Sequence, residues 1–241
     1  MRWSAARAFM SFLTRLEMFP RRTQEAALRL LTFLRERWRV VAIVAGGVVL
    51  IGAAGGIWAW QQGVRENAAG QALAAVNLEF RKQYPGGFYL SGGESSGGKP
   101  DALIQRYHQV ATAHAGTRAG WEAVLRAAHL EYGAGQYDAA IRNYERYAER
   151  ASPALRGVAL LGKGYALLAK GDAAGAAVAF GGAAAASPED PVAPEAYLAQ
   201  GRALEAGKRR EEALRAYAIV TERYAQSIFA TQATERTASL K

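Results

Sequence analysis

The side chains that carry catalytic chemistry in most enzymes are sparse in this chain and poorly spaced for it. Cysteine is absent, which excludes a thiol nucleophile and a thiolate metal site. Of the three histidines, His108 and His114 are six residues apart and His129 is remote, whereas a zinc-binding helix places two histidines four apart. The carboxylates mostly lie near Arg or Lys, as on a solvated helix face, and form no pair suited to acid–base catalysis, as at Glu122, Glu131, Glu145 and Glu149. We therefore predict a protein that is not an enzyme, with no catalytic residue, metal, cofactor or small-molecule substrate.

One stretch has the spacing of a nucleotide-binding motif. Gly93-Glu-Ser-Ser-Gly-Gly-Lys99 matches the G-x-x-x-x-G-K core of a phosphate-binding loop. The next residue of that motif is a Ser or Thr that binds magnesium, but this chain has Pro100 there. No parallel-sheet pattern surrounds the stretch. We interpret it as part of a flexible Gly/Ser-rich loop.

The net charge of +9 is concentrated at one end of the chain. Residues 1–39 contain nine Arg, no Lys and three Glu. Such an arm directly before an apolar stretch is a membrane-topology signal, because Lys and Arg stay on the cytoplasmic side, and it also attracts anionic lipids. The rest of the chain has no concentrated basic stripe, which argues against a nucleic-acid partner.

The apolar stretch after the arm has the length of a membrane span. Val40–Val64 contains no charged residue, and roughly 20 helical residues cross a hydrocarbon core of about 30 Å. Trp38 lies before its apolar centre, and Trp58 and Trp60 lie at its end, as interfacial aromatic residues do. The alternative is a cleaved signal peptide, but the arm is long for one and no convincing cleavage site follows. We predict a single-pass anchor in a bacterial inner membrane, with the N-terminus in the cytoplasm and the C-terminal part in the periplasm.

Two features of this region leave alternatives open. Gly52 and Gly56 have the four-residue spacing that lets two membrane helices approach closely, or they reflect the ordinary abundance of Gly in such helices. The arm, 1–39, reads as two amphipathic helices broken at Pro20 and lying in the lipid headgroup layer. The alternative for the arm is a partly disordered basic tail.

A repeat of 36 to 37 residues fills the C-terminal part of the chain. Small residues and aromatic residues recur together at this spacing, which is typical of stacked helix pairs in which a small side chain lets the backbones approach and an aromatic ring fills the groove. The repeated positions are Ala128, Gly164 and Gly201; Ala140, Ala176 and Ala213; and Tyr144, Phe180 and Tyr217. The pattern resembles the tetratricopeptide repeat, whose period is about 34. In the third unit we expect an extra residue in the turn, and we expect Ile228–Leu240 to form a capping helix.

The sequence thus predicts an all-α chain, with one N-terminal transmembrane helix followed by a short tetratricopeptide-type α-solenoid. The arm, 1–39, precedes a transmembrane helix at 40–60. A helical linker at 61–84, predicted to continue the transmembrane helix, leads to the Gly/Ser-rich loop at 85–100. The repeat domain follows at 101–241.

The first helices of such pairs line a concave surface, and this surface is the candidate binding site. Leu and Tyr recur there on a face that should meet water, which suggests a groove for a segment of a protein partner. The alternative is that the helix at 61–84, or the helix starting at Asp101, fills the groove. The predicted groove residues are Leu125, His129, Tyr132, Leu161, Tyr165, Leu168, Leu198 and Arg202.

The order of a basic arm, an anchor and a tetratricopeptide domain resembles the YfgM-like family. The similarity extends over Val40–Phe180 and is best at Tyr107–Thr117 (YHQVATAHAGT), at Ala127-Ala-His-Leu and through Gly135-x-Tyr137-x-x-Ala140. Family members are ancillary subunits of the SecYEG translocon that help newly exported proteins. The resemblance therefore implies a chaperone-like role beside the translocon or a periplasmic folding factor. Another possibility is an accessory or assembly subunit of a different inner-membrane complex, held by its transmembrane helix and arm.

Overall fold

The computed structural model describes residues 36–85 and 100–240, without the side chains of residues 41 and 45. The predicted amphipathic helices of the arm and the Gly93–Lys99 motif lie outside the described residues. Every regular element in the described residues is a helix, which confirms the all-α prediction. The chain divides into two compact units, Met1–Gly63 and Val64–Lys241.

The first helix, α1, runs without a break over Trp38–Gln83, so the predicted segments 40–60 and 61–84 form one element. Within the described part of the chain, it is the one helix that is long and apolar enough to cross a membrane. No part of its most apolar window is buried against protein. Leu50 and Ile51 are 72% and 75% exposed. A surface this apolar is stable against lipid or another apolar surface rather than against water.

In the second unit, the end of α1 packs against α2, Asp101–Ala113. Leu73 and Val76 of α1 are buried in the same apolar cluster as Tyr107 of α2. The hydroxyl of Tyr107 donates a hydrogen bond of 2.8 Å to Oδ1 of Asn77, which gives this buried phenol a polar partner. The two helices thereby form one packed layer beside the first repeat.

Six helices then form three consecutive pairs. Each helix packs on the next, and the first helices of neighbouring pairs also contact each other, so that the pairs stack in one direction. The pairs are α3 (Arg118–Gly133) with α4 (Tyr137–Ala148), α5 (Pro153–Ala169) with α6 (Ala173–Ala186), and α7 (Val192–Ala206) with α8 (Arg210–Arg223). A last helix, α9 (Ala230–Ser239), packs on α7 and α8, where Ala233 is fully buried.

The predicted match between small and aromatic residues is confirmed in the second and third pairs, where each ring packs on the small residue of its own pair. A Cβ atom on Gly164 would come within 2.5 Å of the Phe180 ring, and one on Gly201 within 2.3 Å of the Tyr217 ring. Both contacts join the two helices of one pair, and both rings are fully buried. Only glycine allows this approach, because any larger side chain would displace an aromatic ring from the core.

The turn inside each pair has the same backbone geometry in all three pairs. Gly135, Gly171 and Lys208 have positive φ angles of 76°, 93° and 59°. The amide that follows each of them donates to the carbonyl five residues earlier, at 2.8, 2.9 and 2.8 Å in chain order. This is the hydrogen bond that closes a helix at a left-handed residue.

The prediction of an extra residue in the third turn is wrong, because that turn has the length of the other two. The extra residue lies in the connection between α6 and α7, at 187–191, which is one residue longer than the connection 149–152 between α4 and α5. The repeat therefore lengthens in the connection between two pairs and not in the turn within a pair.

Candidate protein-binding groove

Two open clefts lie along the first helices of the first two pairs, α3 and α5. The first cleft has a volume of about 520 Å³ and the second about 330 Å³, and His129 lines both. We refer to the two clefts together as the groove. Five of the eight predicted residues line it, namely Leu125, His129, Tyr132, Leu161 and Tyr165. Their spacing of three or four residues places them on one side of each helix.

The first cleft combines an apolar floor with arginine side chains. The apolar surface consists of Trp121, Leu125, Tyr147 and Leu155. The charged side chains among the described lining residues are Arg118, Arg126, Arg150 and Glu122. Arg126 forms an ion pair with Glu122 at 3.0 Å. Positive charge therefore exceeds negative charge in this cleft.

The indole of Trp121 is the central aromatic group of the first cleft. The guanidinium carbon atoms of Arg146 and Arg150 lie 5.4 and 5.6 Å from its ring centroid, which is cation–π distance. Arg146 belongs to α4, and Arg150 belongs to the connection that follows it, at 149–152. Of the two, Arg150 also lines the first cleft, so its guanidinium lies beside the indole within the cleft.

The second cleft carries no formal charge at neutral pH. Its lining consists of His129, Tyr132, Tyr144, Val158, Leu161, Gly162 and Tyr165. Burial, with a smaller contribution from the nearby Arg126 charge, lowers the pKa of His129 to about 4, so its imidazole is neutral. The His129 ring packs against Tyr144 with centroids 5.4 Å apart. The second cleft is therefore an apolar, largely aromatic surface.

Tyr165 forms a fixed wall of the second cleft. Its hydroxyl donates a hydrogen bond of 2.8 Å to Oε1 of Glu195 on α7. Its ring meets Phe180 edge-on at 5.0 Å. Burial and the Glu195 carboxylate raise the pKa of the Tyr165 phenol, which keeps it protonated and donating. These contacts from two neighbouring helices preorganise the wall before any partner binds.

The prediction that the groove continues along the third pair is wrong for Leu198. This side chain is only 2% exposed and belongs to an apolar cluster that contains Ala233 of α9 and, at its edge, Phe229. Arg202 is exposed, but its guanidinium donates to the Gln232 side chain of α9 at 2.8 Å. Leu168 packs at the edge of the same cluster. The C-terminal helix thus changes the environment of the third pair, and the groove ends at α5.

The alternative in which the helix at 61–84 or the helix from Asp101 fills the groove finds no support within the described residues. All described side chains that line the two clefts come from α3, α4, α5 and the connection between α4 and α5. The end of α1 borders a neighbouring cleft at the start of α3, which shares Arg118 and Glu122 with the first cleft and has Glu66, Leu73 and Asn77 in its lining. There the Glu66 carboxylate accepts the backbone N–H of Arg118 at 3.0 Å.

Sequence reasoning missed several residues of the first cleft. Trp121 lies four residues before Leu125, so extending the predicted spacing by one helical turn would have found it. Arg150 and Leu155 enter from the connection between α4 and α5 and the start of α5. No periodicity within α3 points to them, because their position depends on how the two pairs stack.

The expectation that the carboxylates lie on solvated faces is wrong for Glu131. Its side chain is 3% exposed, and its Oε1 lies 2.7 Å from Nε2 of His108 on α2. Nδ2 of Asn143 on α4 donates to both carboxylate oxygens, at 3.0 and 2.8 Å. Glu131 therefore joins three helices, and both of its buried carboxyl oxygens have hydrogen-bond partners.

The face of α1 that contains Gly52 and Gly56 is uncovered by the described residues. A Cβ atom added at either position would meet no atom within 4 Å.

Among residues 36–85 and 100–240, no three His, Asp or Glu side chains are grouped closely enough to hold a metal ion.

Comparison with known proteins found no match to any family model, to any curated protein or to any solved structure. The function of the groove is therefore inferred from its own geometry and residue chemistry.

Proposed function

We propose that the chain is a single-pass inner-membrane protein whose C-terminal tetratricopeptide-type domain binds segments of protein partners in the groove. The observation that carries this proposal is the groove itself, a concave, uncovered surface in which aliphatic and aromatic side chains face solvent. An apolar concavity of this kind in a helical array is suited to an extended or helical peptide segment.

The assignment to tetratricopeptide-type pairs rests on three repeated features. Left-handed turn residues and turn hydrogen bonds recur in all three pairs at intervals of 36 to 37 residues, at Gly135, Gly171 and Lys208. Glycine–aromatic contacts recur in the second and third pairs, at Gly164 and Gly201. Stacked pairs of this type display their first helices on a common concave side. The position of the groove on α3 and α5 agrees with that arrangement.

The proposed topology places the N-terminus in the cytoplasm and the repeat domain in the periplasm. It is supported by the nine arginines of residues 1–39 and by the exposed apolar surface of α1. Protease added to spheroplasts should digest the repeat domain and spare the arginine-rich arm. Digestion of the arm with protection of the repeats would reverse the orientation and remove the export-related role.

The partner we propose is a newly exported protein or a folding factor beside the Sec translocon, as the resemblance to the YfgM-like family implies. The residues of that resemblance include Tyr107–Thr117, which span most of α2 and the connection to α3. Newly exported proteins present unfolded segments. The apolar side chains that such segments expose can pack against the aliphatic and aromatic residues of the groove.

Co-purification from cells in mild detergent tests this role. A Leu161→Glu variant places a charge in the second cleft and should lose the translocon or folding factor that the unaltered protein recovers. A Val178→Glu variant is the matched control, because Val178 is 74% exposed on α6 and lies outside both clefts. The proposal is contradicted if the two variants recover equal amounts of the translocon or folding factor. It is also contradicted if the unaltered protein recovers neither.

The second candidate function is an accessory or assembly subunit of another membrane complex. The uncovered small-residue face at Gly52 and Gly56 favours it, since such faces let membrane helices pack closely. Replacing both glycines with leucine should release the protein from that complex, whereas a partner held in the groove should remain bound. The two functions are therefore separable by one pair of substitutions.

A further inference from the structure

We infer that the groove selects protein segments in which acidic residues adjoin aliphatic or aromatic residues. This inference rests on the proposed function and names the chemistry of its partner. The first cleft would take the acidic part of the segment and the second cleft the apolar part. The two parts are adjacent because the clefts meet at His129.

The charge balance of the first cleft supports an acidic occupant. Three arginines and one glutamate line it, and the glutamate is paired with Arg126. Among the described residues, Arg118 and Arg150 form no ion pair with a carboxylate, and the Arg150 guanidinium stacks instead on Trp121. Carboxylate is the natural complement of a guanidinium with unused donors.

Glu66 does not line the first cleft. It lines the neighbouring cleft between α1 and α3, which shares Arg118 and Glu122 with the first, and its carboxylate accepts the backbone N–H of Arg118. The side chain of Arg118 remains at the rim of the first cleft. An incoming carboxylate would therefore meet the side chains of Arg118 and Arg150, with the apolar floor of Trp121 and Leu155 beneath it.

The second cleft requires a different kind of side chain. Its described lining includes no Lys, Arg, Asp or Glu, and its only titratable ring of intermediate pKa, His129, stays neutral at pH 7. Volumes of about 520 and 330 Å³ lie in the range of clefts that enclose small groups of side chains.

Binding of three synthetic decapeptides to the full chain in phosphatidylcholine nanodiscs tests the inference. The peptides share one apolar half rich in Leu, Phe and Tyr, carry an uncharged dye, and differ in the other half, which contains four Glu, four Gln or four Lys. We expect the Glu peptide to bind about 3- to 30-fold more tightly than the Gln peptide, as two ion pairs at an exposed rim would give. The Lys peptide should bind more weakly than either.

Two variants separate the acidic preference from the groove itself. Arg118→Gln with Arg150→Gln should abolish the difference in affinity between the Glu and Gln peptides. Arg142→Gln with Arg215→Gln is the control, because both arginines are exposed and neither is among the residues that line the two clefts, and it should preserve the preference. Leu161→Asp should weaken all three peptides.

Each remaining outcome counts against a stated claim. Equal affinity of the unaltered protein for the Glu and Gln peptides would overturn the acidic preference and leave the proposed function standing. Failure of all three peptides to bind would overturn both. Capture of phosphatidylglycerol vesicles that depends on Arg118 and Arg150, without any preference among the peptides, would assign the cationic rim to lipid instead.

Discussion

The carboxylate of Glu131 lies 2.7 Å from Nε2 of His108, and the two side chains belong to neighbouring helices, α3 and α2. Asn143 of α4 donates to the same carboxylate. A single buried acid thereby connects α2 to the first repeat pair. This contact fixes the helix that lies before the array against the pair that carries the first cleft.

Glu131→Ala should destabilise the protein by about 1–3 kcal/mol, because it leaves the partly buried donors of His108 and Asn143 without their acceptor. Thermal unfolding of the full chain in mild detergent, followed by far-ultraviolet circular dichroism, measures the change. Glu235→Ala is the control, since Glu235 is exposed on α9, and it should shift stability by no more than about 0.5 kcal/mol. Equal effects from the two substitutions would mean that Glu131 has no structural role.

Gly164→Ala should cost about 1–3 kcal/mol, because the added methyl group overlaps the Phe180 ring and the core must shift. Gly70→Ala is the matched control on the described part of α1, where a Cβ atom meets nothing within 4 Å. There alanine should be neutral or stabilising by up to about 1 kcal/mol, as in other exposed helix interiors. Combining Gly164→Ala with Phe180→Leu should cost less than the two single substitutions together, and additive losses would contradict the contact.

Lys208→Gly should stabilise the protein by some tenths of a kcal/mol to about 1 kcal/mol. Lys208 has a φ of 59°, a left-handed conformation that strains a residue with a Cβ atom, whereas glycine occupies the equivalent positions 135 and 171. The gain is partly offset by the greater freedom of glycine in the unfolded chain. Gly171→Ala provides the reverse test in the same assay, and a loss of stability there with no gain at Lys208 would show that the third turn is not strained.

Stability should fall as the pH drops from about 6.5 towards 4, partly through His129. Its pKa is lowered from 6.5 to about 4 in the folded protein, so between these values the unfolded chain binds a proton that the folded chain excludes. The contribution of neutral His129 is fully present above pH 6.5 and is lost progressively below it. His129→Gln should flatten this part of the stability profile measured by thermal unfolding, whereas an unchanged profile would exclude burial of a neutral imidazole.

The repeat pairs were predictable from sequence because each depends on local packing that recurs. Glycine–aromatic contacts such as Gly164 with Phe180 impose a fixed spacing on the chain, and the spacing is readable without coordinates. The long apolar helix was predictable for a similar reason, since length and composition alone define it.

The remainder of the site depends on tertiary contacts that periodicity does not encode. Leu198 occupies the same repeat position as Leu161, yet it is buried in a cluster that includes residues near the C-terminus. Arg150 contacts Trp121 from the connection between α4 and α5, and Glu131 is buried because it pairs with His108 of α2. Each of these depends on which surface a neighbouring element covers, and a residue pattern within one helix carries no record of that.

Site-specific photo-cross-linking in living cells tests the central claim, that the groove between α3 and α5 is the partner-binding surface. A photoreactive phenylalanine derivative in place of Tyr132 lies in the second cleft, and the same group in place of Val178 lies on the exposed outer face of α6. The account predicts a discrete cross-linked protein from position 132 and none of comparable yield from position 178. Cross-links of equal yield from both positions, or from position 178 alone, would contradict it.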